Sequence, residues 1–198
     1  MMTSRRIIAL SGPRACGKST IAAHLVKNYG YTSIAFADAL REIAAIAGPD
    51  LINDRLYLAR LGEKLRAQVP YFLLQVVKNK LETIQGHIVI EDIRFPAEID
   101  FCQSIGATTI RFVISIETQR ERITKRDGKI GEELEFLIEC VDEHALDDSV
   151  VWDSVIPAIG DFSELASEIH NGAPLFGIVG GNNKSNSDHT ISGGRVNG

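Results

Sequence analysis

The stretch Gly12-Pro13-Arg14-Ala15-Cys16-Gly17-Lys18-Ser19 decides the fold of this 198-residue chain. It fits the pattern G-x-x-x-x-G-K-[ST], in which a glycine-rich loop turns its backbone N–H groups toward phosphate oxygens. Gly12 allows a sharp turn after a strand, and Gly17 allows the backbone to approach a phosphate closely. Lys18 supplies a positive charge to the β- and γ-phosphates, and the hydroxyl of Ser19 is suited to ligate Mg²⁺. The stretch therefore predicts a site for a nucleoside triphosphate.

The residues on both sides of the loop support this prediction. Residues 5–11 form a short apolar run, which is typical of a buried parallel strand. From Lys18 to about Asn28 the apolar residues recur at helical spacing, and Gly30 suits the end of that helix. A strand before the loop and a helix after it are the context that phosphate binding requires. The alternative interpretation is that the segment is a glycine-rich turn with an exposed lysine and binds no phosphate.

The rest of the chain alternates between strand and helix patterns. Further strands are predicted over 31–37, 87–93, 108–116 and 152–156. Helices are predicted over 38–47, 52–68, 71–85, from Pro96 to near Gly106, over 117–127, after Gly131, and over 163–170. This alternation predicts an α/β fold of three layers, a five-stranded parallel sheet with helices on both faces and a helical lid.

The end of the sequence differs in composition from the rest. Residues 171–198 contain seven glycines, with asparagine and serine filling much of the remainder. Such a segment buries too little apolar area to offset the entropy lost on ordering. We therefore expect one domain over residues 1–170, with its lid at about 117–146, and a flexible tail over 171–198.

The composition indicates which partners the protein binds and which cellular compartment it occupies. The net charge is −5, from 21 Lys and Arg against 26 Asp and Glu, which disfavours binding to a nucleic acid polymer. No apolar run approaches the roughly 18 residues of a membrane helix, and Ile7 to Leu10 is too short for a signal peptide. The three cysteines, Cys16, Cys102 and Cys140, form no metal-binding pattern and indicate a reducing compartment, so we expect a cytoplasmic protein. Cys16 lies inside the loop, where it is either a small filler or a metal or redox site.

Charged residues follow the third predicted strand, in Glu91-Asp92-Ile93-Arg94. Ligands bind at the carboxyl ends of strands in open α/β sheets. Asp92 is therefore placed to hold Mg²⁺, directly or through water, and Arg94, on the same side of an extended chain, to neutralise a phosphate. Strand alternation turns Glu91 the opposite way. The alternative is a surface Asp–Arg pair at a strand end.

A second group of charged residues surrounds the helix after the second strand. Asp38 is either a helix cap or a substrate contact, and Arg41, one turn later, could reach an anionic acceptor. Arg66 lies on a later helix and either completes a clamp on that acceptor or is an ordinary exposed arginine. Tyr71 and Phe72 are either an apolar wall for a base or core residues.

The segment from Glu117 to Gly128 is rich in arginine. Arg122 and Arg126 are spaced i,i+4 and share one helix face, with Arg120 nearby. Phosphoryl transfer needs cations over the migrating group, and a movable arginine lid supplies them. We therefore assign Arg122 and Arg126 catalytic roles with Lys18, Asp92 and Arg94; the alternative is a solvated charged helix.

With these pieces placed, the chain resembles the P-loop nucleotide kinases, and within them the bacteriophage-type deoxynucleoside monophosphate kinases. The likeness rests on residues 10–20, 36–40, Leu61-Gly62-Glu63 with Arg66, Glu91 to Glu98 and Gly106 to Ile110. The resemblance implies that ATP binds Gly12, Pro13, Arg14, Ala15, Cys16, Gly17, Lys18, Ser19 and Thr20, with Mg²⁺ on Ser19 and Asp92. It also implies a monophosphate site bordered by Asp38, Arg41, Arg66 and Arg94.

Two positions depart from the family pattern. Ser115 stands where an arginine followed by proline is expected, and Ala158 where many relatives have asparagine. The lid arginines look more like those of dephospho-coenzyme A kinases and related small-molecule kinases.

The predicted function is ATP-dependent phosphoryl transfer to a deoxynucleoside monophosphate, giving the diphosphate. The alternatives are a dephospho-coenzyme A kinase or another small-molecule P-loop kinase and, from another class, a nucleotide-binding switch. The expected partner is a small nucleotide, with no membrane and no nucleic acid polymer. The sequence leaves open whether the chain forms a homodimer.

Overall fold

The five predicted strands form one parallel sheet. A computed structural model describes residues 5–139, 144–146 and 151–172 of the chain. The strands lie in the order β2-β3-β1-β4-β5 and pair in parallel throughout. They are β1 (Ile7–Ser11), β2 (Thr32–Ala35), β3 (Ile88–Ile93), β4 (Thr108–Val113) and β5 (Ser154–Pro157).

The helices between the strands agree closely with the sequence pattern. They are α1 (Lys18–Tyr29), α2 (Asp38–Ala47), α3 (Arg55–Gln68), α4 (Phe72–Thr83), α5 (Pro96–Ser104), α6 (Ile116–Asp127), α7 (Gly131–Glu139) and α8 (Phe162–Asn171), with a short 3₁₀ turn at Pro49–Asn53. Gly30 ends α1 in the left-handed conformation, as expected.

Local contacts explain how β2, the start of α2 and the end of β4 differ from the sequence analysis. The second strand is shorter than predicted and ends at Ala35, because the chain turns there into α2. Asp38 is the first residue of α2 and Ala37 is its N-cap, so Asp38 is not the capping residue. β4 ends at Val113, and Ser115 caps α6 by accepting a hydrogen bond from the N–H of Thr118 at 3.2 Å.

Helices cover both faces of the sheet, which explains why its strands are apolar on both sides. On one face, Leu10 and Phe112 pack with Leu25 of α1 and Ala166 of α8. On the other face, residues of β1 and β3 pack with α2, α4 and α5 through side chains such as Leu40, Val77 and Ile99. The sheet is therefore the middle layer of three, as predicted.

A bulge interrupts β3 beside β1. Ala9 pairs with Ile90, but Ser11 pairs with Ile93, so β3 carries one extra residue. Asp92 lies in this bulge with φ of 61°, a left-handed conformation that is uncommon for a residue other than glycine. As a result Glu91 and Asp92 both line the cleft at the strand ends. The expectation that Glu91 faces away is therefore wrong, since simple alternation does not hold through a bulge.

Some sequence predictions fall on residues that the structure does not describe. These include Cys140, part of the lid segment 117–146, and all of the tail beyond residue 172. Within the described ranges, none of the helices is both long enough and apolar enough to cross a membrane.

Candidate active site

One cleft at the carboxyl ends of the strands brings together most of the predicted site residues, although Gly12, Pro13 and Cys16 are not among those that line it. Its volume is about 2040 Å³. The phosphate loop and the start of α1 line one end, the turn before α2 and helix α3 line the other, and α6 and α7 lie across it. The predicted residues at its surface are Arg14, Ala15, Gly17, Lys18, Ser19, Thr20, Asp38, Arg41, Arg66, Asp92, Arg94, Arg122 and Arg126.

The phosphate loop is packed from below by buried side chains. A Cβ on Gly12 would meet the carbonyl oxygen of Phe112 at 2.6 Å and the sulfur of Cys16 at 2.9 Å. Cys16 is fully buried under the loop, which fits the small-filler interpretation. Gly12 is thus required by packing against β4, in addition to the turn expected from sequence.

Gly17 is also required by a neighbour, which the sequence analysis missed. A Cβ there would meet Cζ of Phe162 at 2.6 Å, and φ of Gly17 is 98°. Phe162 is the first residue of α8, far along the chain, so no local pattern pointed to it. The absence of a side chain at Gly17 therefore makes room for the ring of Phe162 as well as for a phosphate.

Lys18 lies across the loop that precedes it. Its Nζ donates hydrogen bonds to the carbonyl oxygens of Gly12 at 2.6 Å and Pro13 at 2.9 Å. Ser19 and Thr20 follow on α1 and are exposed in the cleft. The positive end of α1 and the ammonium group of Lys18 thus act on the same space, where they favour an anion.

Arg122 joins α6 to the phosphate loop. Its guanidinium donates to the carbonyl oxygens of Ala158 at 2.9 Å and Ala15 at 3.4 Å. Its Cζ lies 5.8 Å from the ring centre of Phe162. The backbone carbonyl of Ala158 thus takes part in this contact, at one of the positions that departs from the family pattern.

The other two arginines of α6 have different surroundings. Arg126 lines the cleft and pairs with Asp127 through two hydrogen bonds of 2.8 and 2.7 Å. Arg120 pairs with Glu135 of α7 and is not among the residues that line the cleft. This ion pair joins α6 to α7.

Two carboxylates hold the turn between β2 and α2. Asp92 accepts hydrogen bonds from the N–H groups of Phe36 at 2.9 Å and Ala37 at 3.1 Å. Asp38 accepts from the N–H of Ala35 at 2.8 Å and from Arg41 at 3.0 Å. Burial raises the pKa of Asp92 to about 6, although the positive charge of Arg94 opposes the shift.

Glu98 is a buried carboxylate at the edge of the site, which the sequence analysis cited as the end of a family stretch but gave no role. It accepts from the N–H of Arg94 at 2.9 Å and of Phe95 at 3.2 Å, and it lies 3.5 Å from Arg66. Arg66 stacks over the ring of Phe95 at 4.1 Å. Burial raises the pKa of Glu98 to about 7. An acidic residue just after Pro96, at the start of a helix, was the available signal.

Tyr71, Phe72 and His144 lie outside the cleft lining. Phe72 packs against the core, and Tyr71 is 69 % exposed, so neither forms a wall of the cleft. His144 lies 3.0 Å from the carbonyl oxygen of Ile138, where it contacts α7.

The oxygen donors of the cleft suit Mg²⁺ bound together with phosphates. Mg²⁺ is commonly held by one or two protein oxygens, waters and substrate phosphates. Ser19 and Asp92 line the cleft, and each offers an oxygen ligand of this kind. The donor set therefore fits a metal that arrives with a nucleotide.

Comparisons with known proteins agree with this architecture. The sequence profile of a family described as "AAA domain" matches residues 11–132, more than half of the chain. The cytidylate kinase of Pyrobaculum aerophilum is 28 % identical over 123 residues, which cover 62 % of this chain and 61 % of that protein. The chain thus spans less than two thirds of the length of that relative.

Solved structures show the same fold. TT1252 from Thermus thermophilus aligns with a TM-score of 0.57 at 20 % identity, covering 86 % of this chain and 97 % of the other. A shikimate kinase from Acinetobacter baumannii, solved with shikimate, aligns with a TM-score of 0.57 at 21 % identity, covering 85 % and 92 %. The three-layer P-loop fold predicted from the sequence is confirmed, and the narrower likeness to the bacteriophage-type enzymes stays a prediction.

Proposed function

The chain belongs to the AAA domain family, and from that premise we propose that it transfers the γ-phosphoryl group of ATP to a deoxynucleoside monophosphate. The observation that carries the proposal is a single cleft with a phosphate loop at one end and Arg41, Arg66 and Arg94 at the other. A donor site and an anion-binding acceptor site that share one cleft are what phosphoryl transfer requires.

The donor end would bind ATP through residues 12–20. Mg²⁺ would be held by Ser19 and by phosphate oxygens, with Asp92 reaching it directly or through water, and would neutralise charge on the phosphates when bound. Phe162 and Arg122 offer an aromatic ring and a guanidinium group beside the loop. Both are surfaces on which a purine base stacks, so we assign them to the adenine. For Arg122 this assignment replaces the role over the transferred phosphoryl group that the sequence analysis predicted.

The acceptor end would bind a second anionic ligand. A cleft of about 2040 Å³ is roughly twice the ~1,000 Å³ upper range of a pocket for one small molecule, which leaves room for two nucleotides. Arg41, Arg66 and Arg94 supply the positive charge at this end. The printed name of the similar Pyrobaculum aerophilum protein, cytidylate kinase, supports a nucleoside monophosphate as acceptor.

The surroundings of Asp38 favour a phosphate acceptor over a hydroxyl acceptor. A hydroxyl would need a general base, and Asp38 is the candidate. Its carboxylate already accepts from Ala35 and pairs with Arg41. A phosphate acceptor is largely ionised near neutral pH, because its second pKa is about 6, and so needs no base. The residues then act by positioning and charge stabilisation, with Arg126 of the lid near the transferred group.

The proposal is tested by measuring ADP release with ATP·Mg²⁺ and a panel of acceptors. The panel contains the four deoxynucleoside monophosphates, their ribose counterparts and dephospho-coenzyme A. We expect turnover with at least one deoxynucleotide. Turnover with dephospho-coenzyme A alone would show that the acceptor is a hydroxyl group and would overturn the proposed acceptor. The variant Asp38→Asn should abolish the reaction with a hydroxyl acceptor, but it should leave a substantial rate with a phosphate acceptor.

A nucleotide-binding switch would behave differently in the same assay. It would release ADP slowly and at a rate independent of any added monophosphate, because it has no second substrate. ADP formation that rises with the concentration of a monophosphate and saturates therefore separates the kinase from the switch.

A further inference from the structure

We propose that Asp92 is a positioning residue, whose carboxylate holds the turn Phe36–Ala37 in the conformation that presents Asp38 and Arg41 to the cleft. The proposal rests on the proposed function, because it treats this turn as part of the acceptor site. It adds a structural role to the metal contact that the sequence suggested for Asp92.

Three successive backbone amides at this turn donate to carboxylates. The N–H of Ala35 donates to Asp38 at 2.8 Å, that of Phe36 to Oδ1 of Asp92 at 2.9 Å, and that of Ala37 to Oδ2 of Asp92 at 3.1 Å. Bonds to an ionised acceptor are shorter and stronger than those between neutral groups. Asp92 is thus engaged through both oxygens, and its partners lie more than fifty residues away along the chain.

The backbone of Asp92 is shaped to make this contact. It lies in the β3 bulge with φ of 61°, a conformation that a residue other than glycine adopts at a cost. Such a conformation persists where surrounding bonds fix it, and it is concentrated at functional sites. The bulge turns the carboxylate of Asp92 toward the neighbouring strand end, where the turn begins.

The turn is linked directly to the side chains of the acceptor site. Asp38 starts α2 directly after Ala37, and its Oδ1 accepts from Arg41 at 3.0 Å. If Asp92 no longer accepts from Phe36 and Ala37, two N–H groups lose their partner and the turn relaxes to satisfy them. Arg41 and Asp38 then lose their fixed position, while the phosphate loop at the other end keeps its own contacts.

The matched variants are Asp92→Asn and Asp153→Asn in the full chain. Asparagine keeps the size of the side chain but replaces one accepting oxygen by an NH₂ group. Asp153 is the control, because its carboxylate also accepts from a backbone N–H, that of Thr109 at 2.7 Å, between β4 and β5 and outside the cleft. Amide hydrogen exchange of residues 35–37 and steady-state kinetics are measured for both.

We expect Asp92→Asn to speed exchange at residues 35–37 and, at saturating ATP·Mg²⁺, to raise the KM for the acceptor about tenfold. Asp153→Asn should change neither quantity. Exchange at residues 35–37 that stays at the wild-type rate in Asp92→Asn would overturn the proposal, whatever happens to kcat.

The exchange readout separates this proposal from the proposed function. If the wild-type protein phosphorylates none of the acceptors, the function is wrong, but the exchange rates still report whether Asp92 holds the turn. If Asp92→Asn does not fold, the wild-type protein decides: the amides of Phe36 and Ala37 should exchange as slowly as those inside β3. Fast exchange at both positions would overturn the role of Asp92.

Discussion

Lys18 is the residue on which the donor site depends most directly. Its ammonium group lies across the loop within hydrogen-bond distance of two of the loop's own carbonyl oxygens. We expect Lys18→Ala to lower kcat by at least about 100-fold, since a positioned charge on the transferred group is lost, with little change in the unfolding temperature.

A second lysine variant controls for the loss of a positive charge in general. Lys80 pairs with Glu42 at 2.7 Å, and neither residue lines the cleft. Lys80→Ala should keep full turnover and change the free energy of unfolding by no more than about 1 kcal/mol. Undiminished turnover in Lys18→Ala would contradict the assignment of the loop as the donor site.

Gly17 tests whether the contact with Phe162 matters beyond backbone conformation. Gly17 and Gly86 both have positive φ, of 98° and 84°, but only at Gly17 would a Cβ collide with another side chain. Gly86→Ala should lower the free energy of unfolding by about 1–2 kcal/mol, the cost of a left-handed residue with a Cβ. Gly17→Ala should cost more and should also weaken ATP binding, as urea unfolding and ATP titration would show. Equal losses of stability would mean that Phe162 yields without cost.

At the scale of the elements, Glu98 fastens the end of β3 to the start of α5. The pKa of this buried carboxyl is raised from 4.5 to about 7, so the folded state holds a proton that the unfolded state releases. Stability from this group is therefore fully present below pH 4.5 and is lost as the pH rises to about 7. The loss amounts to roughly 3 kcal/mol.

Glu98→Gln removes this titration and gives a direct measurement. The difference in free energy of unfolding between the wild type and Glu98→Gln should shift in favour of the variant between pH 4.5 and 8. Glu164→Gln, at an exposed position in the first turn of α8, is the matched control for the loss of a single carboxylate. A constant difference between wild type and Glu98→Gln across this range would show that Glu98 keeps an ordinary pKa in the fold.

The elements of the fold followed from the sequence because their signals are local. Apolar runs such as Ile7 to Leu10, glycine at the end of α1 and proline at the start of α5 act within a few residues. The bulge at Asp92 could not be predicted in this way, because it is a register shift between β1 and β3, which lie some 80 residues apart.

The candidate site shows the same division. The phosphate loop and the arginines that line the cleft were predicted from motif and spacing. The contacts of Phe162 with Gly17 and of Arg122 with the carbonyl oxygen of Ala158 were not, because each joins segments distant in sequence. Contacts between side chains of distant segments depend on tertiary packing, which cannot be predicted from a single sequence by local patterns.

At the scale of the whole molecule, the two ends of the cleft should bind separate ligands. A non-hydrolysable ATP analogue and a deoxynucleoside monophosphate should each raise the unfolding temperature. At a concentration of 100 times its Kd, each ligand should add about 2.7 kcal/mol to the free energy of unfolding. Arg66→Ala should reduce the increment from the monophosphate and leave that from the ATP analogue. Arg60→Ala, at an exposed position on the same helix, should leave both increments unchanged. Loss of both increments in Arg66→Ala would contradict a cleft with two independent ends.

The most direct test of the central claim is to follow the fate of the γ-phosphoryl group by ³¹P NMR. The full chain is incubated with ATP·Mg²⁺ and the deoxynucleoside monophosphate that stabilises it most. We predict that one deoxynucleoside diphosphate forms for each ADP, with little inorganic phosphate, and that neither product forms with Lys18→Ala. ADP accompanied only by inorganic phosphate, with the monophosphate unchanged, would show hydrolysis in place of transfer and would contradict the account.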